Sequence, residues 1–208
     1  AATRHPVVLK TLPPSTTPRP QDRVAFHREI RAIARMSHPG IARIYDYGAI
    51  PTNPLGLTGR YLVMERAEGH LRDSMVPDWP VAKGILRQLL SALAHAHARQ
   101  VVHRDLKPGN VLVWAEAGCP RVKLADFGLA TLRRAEAPLA RSGAMAGSPA
   151  YMAPEQCLGR WRDFGPHTDL YALGCLAWRL LAGRAPFGHG APAELVHHHL
   201  NTALPRLT

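Results

Sequence analysis

The chain has 208 residues, of which 46% are hydrophobic and 20% are charged, and it carries a formal net charge of +11. This length allows one good core or two small ones, and the composition is ordinary for a globular protein. The three cysteines are far apart, so the sequence predicts no disulfide framework or zinc site and favours a reducing compartment. The charge is compatible with a polyanion partner, but the arginines are spread along the chain, which favours a solvated basic surface.

Strand patterns and one helix make up the first third of the chain. Residues 7–10 are a short β-rich run, and residues 11–20 form a loop rich in Pro, Ser and Thr. A helical pattern extends from residue 22 to residue 37 and places Glu29 on its apolar face. Because a carboxylate on an apolar face is costly without a cation, we expect a positively charged partner for Glu29.

Four more strands and a long helix follow. Residues 41–47 and 61–65 are predicted strands that form an antiparallel pair, and residues 80–100 are a predicted amphipathic helix. Its apolar positions at helical spacing are Leu86, Leu89, Leu90, Leu93 and His97. Two short strands are predicted at residues 111–114 and 121–124.

The last third is irregular from residue 130 to about residue 162 and helical at residues 169–183 and 191–201. Its longest apolar run, residues 170–181, is interrupted by Arg179 and is too short for a membrane span.

Early strands and later helices predict an α+β fold with two unequal lobes. We expect a small β-rich lobe over residues 1–64, a hinge at residues 65–69 and a mostly helical lobe over residues 70–208.

Three motifs carry the chemistry. HRDLKPGN occupies residues 103–110 between two apolar runs, ADFG follows a predicted strand at residues 125–128, and GSPAYMAPE lies at residues 147–155. The motifs place Asp105, Asn110 and Asp126 on loops that follow short strands. Carboxylate and amide oxygens of this kind suit Mg²⁺, with phosphate oxygens completing its coordination.

In these motifs and their order the chain resembles the protein kinase family, and the lysine two residues after Asp105 is typical of its serine/threonine branch. The resemblance extends along nearly the whole chain and implies a bilobal fold that uses ATP and Mg²⁺. It implies that Asp105 is the catalytic base that orients the substrate hydroxyl and that Lys107 contacts the γ-phosphate. Asn110 and Asp126 would hold the Mg²⁺ ion.

The resemblance also implies a nucleotide site. Lys10 would bind the α- and β-phosphates and pair with Glu29, which supplies the expected cation. The hinge that follows Met64 would bind adenine through its backbone at Glu65 and Ala67. Val8 would face the adenine ring, and Leu112 belongs to the same site.

Regulation is implied by the arginine that precedes the catalytic aspartate. A phosphate on the loop before residue 148 would pair with Arg104 and order that loop. Ser142 is the first candidate for this phosphate and Thr131 the second. Phosphopeptide mapping after incubation with ATP tests this, and phosphate found only elsewhere would contradict it. Ser148 would bond Asp105 and Lys107.

Two internal supports follow from the same resemblance. Asp169 would anchor the catalytic loop through the backbone amides of His103 and Arg104. An apolar column would stack four side chains, which are those of Ile33, Ile44, His103 and Phe127.

The sequence departs from the family pattern at both ends. No glycine-rich loop precedes Lys10, and two expected helices, with an arginine that would pair with Glu155, have no counterpart after residue 201. We therefore expect a catalytic core truncated at both ends, in which Glu155 is an unpaired carboxylate. The three consecutive histidines at residues 197–199 point in different directions on a helix, so we interpret them as surface polar residues rather than metal ligands.

Three functions compete at this point. The first is an active serine/threonine kinase core that phosphorylates protein substrates. The second is an impaired or inactive kinase that serves as an interaction scaffold, favoured by the missing glycine loop and opposed by the intact motif residues. The third is a basic nucleic-acid-binding module, which lacks a recognition helix and has only 6% aromatic residues.

The Ala-, Arg- and Pro-rich composition resembles that of bacterial members of the family. We expect a cytoplasmic kinase domain with no specific nucleic-acid partner, and a membrane anchor elsewhere in the protein is compatible with this. The sequence indicates no oligomeric state.

Overall fold

The computed structural model describes residues 6–12, 30–50, 59–71, 76–127 and 149–206. The first sheet consists of β1 (Val7–Leu12), β3 (Gly59–Glu65) and β2 (Ile44–Ile50), antiparallel and in that order. The predicted strands are therefore confirmed with shifted ends. The strand predicted from residue 41 begins at Ile44, because Ile41 instead forms an isolated parallel bridge with Leu124. Residues 30–34, inside the predicted first helix, are helical.

A second sheet joins β4 (Gly69–His70), β5 (Val111–Trp114) and β6 (Arg121–Leu124). The bounds of β5 and β6 are those predicted. β4 was not predicted, because a two-residue strand has no periodicity to detect and is created by its pairing with Leu112 and Val113.

The long helix, α1, spans Trp79–His97 and begins where the Asp78 side chain accepts a hydrogen bond from the Val81 amide at 3.1 Å. Its buried face consists of Ala82, Ile85, Leu89, Ala92, Leu93 and Ala96. Leu90 is 45% exposed, so its place in the predicted apolar set is wrong. Small alanines form much of the buried face, and a pattern read from large side chains misses them.

The C-terminal part is helical. α2 (Pro154–Cys157), α3 (Pro166–Ala182) and α4 (Pro192–Asn201) each begin with proline, whose fixed φ suits the first turn. α2 lies in a stretch predicted to be irregular, so that prediction is wrong there. α3 starts three residues earlier than predicted and is followed by Gly183, whose left-handed φ of 73° ends the helix.

The core beneath the second sheet is formed by α1 and α3 with residues of β5 and β6. Its fully buried members include Ile85, Leu89, Val111, Leu124 and Leu176. Among the helices that the structure describes, none is long and apolar enough to cross a membrane. This architecture confirms the predicted α+β class, with a small antiparallel sheet first and most helices later.

Candidate active site

The loop between α1 and β5 is fixed by one buried carboxylate from α3. Asp169, 1% exposed, accepts hydrogen bonds from the backbone amides of His103 and Arg104, both at 2.8 Å. His97 Nε2 lies 2.8 Å from the same carboxylate. The expected anchoring role of Asp169 therefore agrees with its bonds. Three polar partners offset the cost of burying the carboxylate and hold the loop to the helical core.

Two residues of the site have left-handed backbone conformations. Arg104 has φ of 66° and Asp126 has φ of 64°. Such conformations cost about 1–3 kcal/mol each for residues other than glycine and persist only where the surroundings impose them. At Arg104 the surroundings are the bond to Asp169 and a hydrogen bond from Gln156 Nε2 to the Arg104 carbonyl at 2.7 Å.

Asp105 is the centre of a small polar network. Lys107 Nζ lies 2.7 Å from its Oδ2, and Asn110 Nδ2 donates to its carbonyl at 2.7 Å and to Oδ2 at 3.1 Å. Both bonds of Asn110 to Asp105 use its amide nitrogen, so the Asn110 Oδ1 atom takes no part in them. Lys107 thus neutralises Asp105 in this structure.

Asn110 and Asp126 are brought together by the backbone. The Ala125 amide donates to the Asn110 carbonyl at 2.9 Å, and Asp126 is the next residue. One carboxylate and one amide oxygen on adjacent segments fit the donor set that Mg²⁺ prefers.

Lys10 reaches the same place from the first sheet. Its ammonium group forms an ion pair with the Asp126 carboxylate, which follows β6. Lys10 of the first sheet and Asn110, which directly precedes β5, are therefore linked through Asp126 and its neighbour Ala125. The predicted pair of Lys10 with Glu29 lies outside the described residues, as do Thr131, Ser142 and Ser148.

The residues predicted to surround adenine lie at one end of the first sheet. Met64 and Leu112 are buried in one apolar cluster, against which Ala67 packs. Val8 is opposite Met64 in the strand register and is half-exposed. A small pocket bounded by Ile33, Met64, Asp126 and Phe127, among other residues, extends this cluster toward the catalytic residues.

Glu65 has a side-chain role that sequence reasoning missed. Both of its carboxylate oxygens contact Lys123 Nζ, at 2.9 and 2.7 Å. The available signal was the scarcity of lysine: Lys123 is one of only four lysines in a chain with 26 basic residues of the Lys and Arg types.

Some of the side chains in the expected apolar column are in direct contact. The His103 and Phe127 rings lie 4.5 Å apart between centroids, and His103 Nε2 lies 2.9 Å from the Ala125 carbonyl oxygen. Phe127 and Ile33 belong to one core cluster, against which Ile44 packs. The same side chains therefore form both core packing and a link between the lobes.

Two further expectations are wrong. Glu155 is not unpaired, because Thr168 Oγ1 donates to it at 2.6 Å and His167 Nε2 lies 3.4 Å away. Of the three histidines expected at the surface, His199 is buried and lies 2.8 Å from the Tyr171 hydroxyl. All three partners come from α3, whose contacts cannot be predicted from local sequence.

Comparison of the sequence with known proteins identifies a family whose motifs include these site residues. The family described as the protein kinase domain matches residues 1–207. The chain is 42% identical over 205 residues to the serine/threonine-protein kinase Pkn1 of Myxococcus xanthus, covering 96% of this chain and 28% of that protein. It is 35% identical over 206 residues to PknA of Mycobacterium tuberculosis, covering 97% of this chain and 46% of that kinase.

A third relative is the DNA damage-responsive serine/threonine-protein kinase RqkA of Deinococcus radiodurans, 38% identical over 193 residues, with 88% of this chain and 27% of that protein covered. The chain belongs to the protein kinase family, and these three relatives are bacterial serine/threonine kinases. It spans less than half the length of each of these three relatives. Family membership implies ATP as the phosphate donor and proteins as substrates.

Proposed function

We propose that the protein transfers the γ-phosphate of ATP to Ser and Thr hydroxyls of protein substrates. The observation that carries this proposal is the convergence of Lys10, Asp105, Asn110 and Asp126 on one cleft, through the contacts among them and the Ala125–Asn110 backbone bond. Phosphoryl transfer depends on alignment and charge neutralisation more than on covalent chemistry, and this cleft offers both.

In this mechanism Asp105 accepts the hydrogen bond of the substrate hydroxyl and holds its oxygen in line with the γ-phosphorus. Lys107, which contacts Asp105 at 2.7 Å, is close enough to stabilise the negative charge on the transferred phosphate. Lys10 stabilises the α- and β-phosphates. Asn110 and Asp126 would hold Mg²⁺, which would supply positive charge to offset that of the phosphates.

The adenine end is assigned to Val8, Leu112 and the backbone of Glu65 and Ala67. Burial of Met64 and Leu112 gives this end an apolar wall, as nucleotide pockets require. Glu29 remains the proposed partner of Lys10. Ser148 is proposed to bond the catalytic loop.

The proposed regulation operates through Arg104, which lies beside the catalytic aspartate. A phosphate on Ser142, or secondarily on Thr131, would pair with its guanidinium and order the intervening segment.

We also propose that the domain acts in the cytoplasm, where ATP is available and thiols stay reduced. Cys119, Cys157 and Cys175 are not joined in disulfides in the structure. Burial raises the pKa of Cys175 to about 12, which makes this thiol unreactive.

The decisive experiment compares the unaltered protein with the Asp105→Asn variant in transfer of labelled phosphate from Mg–ATP to a generic basic protein substrate. We expect the variant to lose about 10²–10⁴-fold in kcat, because the hydroxyl loses its proton acceptor. Asp163→Asn, which changes an exposed aspartate in a short helical turn, is the matched control and should transfer phosphate normally.

Equal transfer by the Asp105→Asn variant would remove Asp105 from its role. Nucleotide binding without transfer by the unaltered protein would favour the inactive scaffold, which the curated kinase relatives do not favour.

A further inference from the structure

A second polar cluster lies at the adenine end of the site. We call it the Glu65 cluster, and it consists of Glu65 at the end of β3, Lys123 in β6, Trp114 at the end of β5 and Arg43 just before β2. Lys123 Nζ contacts both carboxylate oxygens of Glu65, at 2.9 and 2.7 Å, and both side chains are only 15% exposed. Lys123 also lies 5.0 Å from the centroid of the Trp114 ring, which covers the ammonium group.

The Glu65 carboxylate has a second donor on the other side. The Arg43 backbone amide donates to Glu65 Oε1 at 2.7 Å, and the Glu65 amide donates back to the Arg43 carbonyl at 3.0 Å. One residue earlier, the Ala42 amide donates to the Leu124 carbonyl at 2.8 Å. The segment around residue 42 therefore joins the end of β3 to β6 by backbone bonds, and the Glu65–Lys123 pair closes the same connection through side chains.

Chain position links this cluster to the catalytic residues. Asp126 follows Lys123 by three residues, and Lys123 is opposite Leu112 in the β5–β6 register. A shift of β6 against the end of β3 would therefore move Asp126 and Leu112 relative to the backbone of residues 65–67. These are the groups assigned to the two ends of the nucleotide.

Strand β6 also contributes one residue to an ion pair that is exposed to solvent. Arg121 lies 3.3 Å from Glu116, and the two side chains are 48% and 51% exposed. An exposed pair of this kind contributes little, because water and salt screen it. The Glu65–Lys123 pair is shielded and shares its carboxylate with a backbone donor, so loss of the lysine leaves a poorly solvated carboxylate.

We propose that Lys123 is a positioning residue for nucleotide binding, an inference that rests on the proposed kinase function. By holding the Glu65 side chain, Lys123 fixes the distance between the adenine-binding backbone and Asp126. A change in this spacing weakens nucleotide binding in the ground state and the transition state alike, which raises KM for ATP and leaves kcat nearly unchanged.

The test measures the Kd of a fluorescent ATP analogue and the KM and kcat for ATP in four variants: Lys123→Met, Glu65→Gln, Lys123→Arg and Arg121→Met. We expect Lys123→Met to raise Kd and KM by about tenfold, as for loss of one shielded charged contact. Glu65→Gln should raise both constants by a smaller factor, because it keeps one acceptor oxygen. Lys123→Arg should stay within about twofold of the unaltered protein, because a guanidinium also makes two contacts with a carboxylate.

The Arg121→Met variant breaks the exposed pair on the same strand and removes the guanidinium that lies 5.4 Å from the centroid of the Trp114 ring. It keeps Lys123 and its contacts with Glu65, so it should leave Kd and KM unchanged. Thermal unfolding of every variant identifies those that are folded at the assay temperature. If Lys123→Met lowers the unfolding temperature while Kd and KM stay as they were, the lysine supports only stability and the proposal is overturned. A Lys123→Arg variant as weak as Lys123→Met would overturn it as well.

The binding measurement separates this proposal from the proposed function. Nucleotide binding that depends on Lys123 in a protein that transfers no phosphate would contradict the kinase activity alone. Absence of nucleotide binding by the unaltered protein would overturn both.

Discussion

The strand that carries Lys10 and the loop that carries Asp105 present opposite structural situations. β1 pairs with β3, and Val7, Val8 and Leu9 on it are exposed. The catalytic loop is held by His103 and Asp169, which are almost completely buried. Catalytic positions on the loop are therefore tied to the stability of the helical core, whereas the contacts of Lys10 with the described residues are its strand pairing and its ion pair with Asp126.

The largest expected effect is at the buried anchor of the loop. Asp169→Ala leaves the amides of His103 and Arg104 without their acceptor. Each buried unsatisfied donor costs about 1–3 kcal/mol, so we expect about 2–6 kcal/mol of lost unfolding free energy together with a large loss of kcat. Urea unfolding followed by circular dichroism, alongside a transfer assay, measures both.

The matched control for this change is Glu194→Ala, which removes an exposed carboxylate from the first turn of α4. It should shift the unfolding midpoint very little. An Asp169→Ala protein that unfolds at the same urea concentration as this control would show that the loop does not depend on its buried anchor.

At Lys10 we expect a loss of phosphate transfer with little change in the free energy of unfolding. Lys10→Met should lower phosphate transfer on the order of 10²-fold, as for removal of one preorganised electrostatic contact. Its ion pair with Asp126 is partly exposed, so the unfolding free energy should change by less than about 1 kcal/mol. Lys83→Met, at an exposed lysine of α1, provides the reference. A drop in stability similar to that of Asp169→Ala would abolish the contrast between the two regions.

The smallest expected effect concerns a buried histidine of the helical region, which is compared below with an exposed neighbour. Burial lowers the pKa of His199 below its ordinary value of 6.5, so the folded state resists protonation while the unfolded chain accepts it. The contribution of neutral His199 to stability is complete above pH 6.5 and decreases as the pH falls toward the lowered pKa.

His199→Gln should therefore flatten the decline in unfolding temperature between about pH 7.5 and about pH 5.5. His197→Gln, at the exposed neighbour, should retain the full decline. The two variants are compared by thermal unfolding across this range, and parallel curves for both would exclude burial of His199 as the cause.

The predictable parts of this molecule are those set by short-range pattern. The bounds of β5 and β6 are predictable because β5 is a short apolar run, β6 alternates between polar and apolar residues, and turn residues lie between them. The order of the motifs indicates the family without any knowledge of contacts. Pairings between distant residues were accessible only where the family resemblance named them, as for Asp169. The Lys123–Glu65 and Thr168–Glu155 contacts had no such guide, since they join different elements, 58 and 13 residues apart, and no local pattern spans those separations.

The left-handed backbone at Arg104 has a consequence for how the protein reaches its working form. The contacts that impose it come from Gln156 and Asp169, which are 52 and 65 residues further along the chain. A ribosome-bound chain that ends before these residues contains the whole HRDLKPGN motif but lacks the means to shape it. Assembly of the reactive geometry must therefore wait for late, long-range association, which is a slow kind of step in folding.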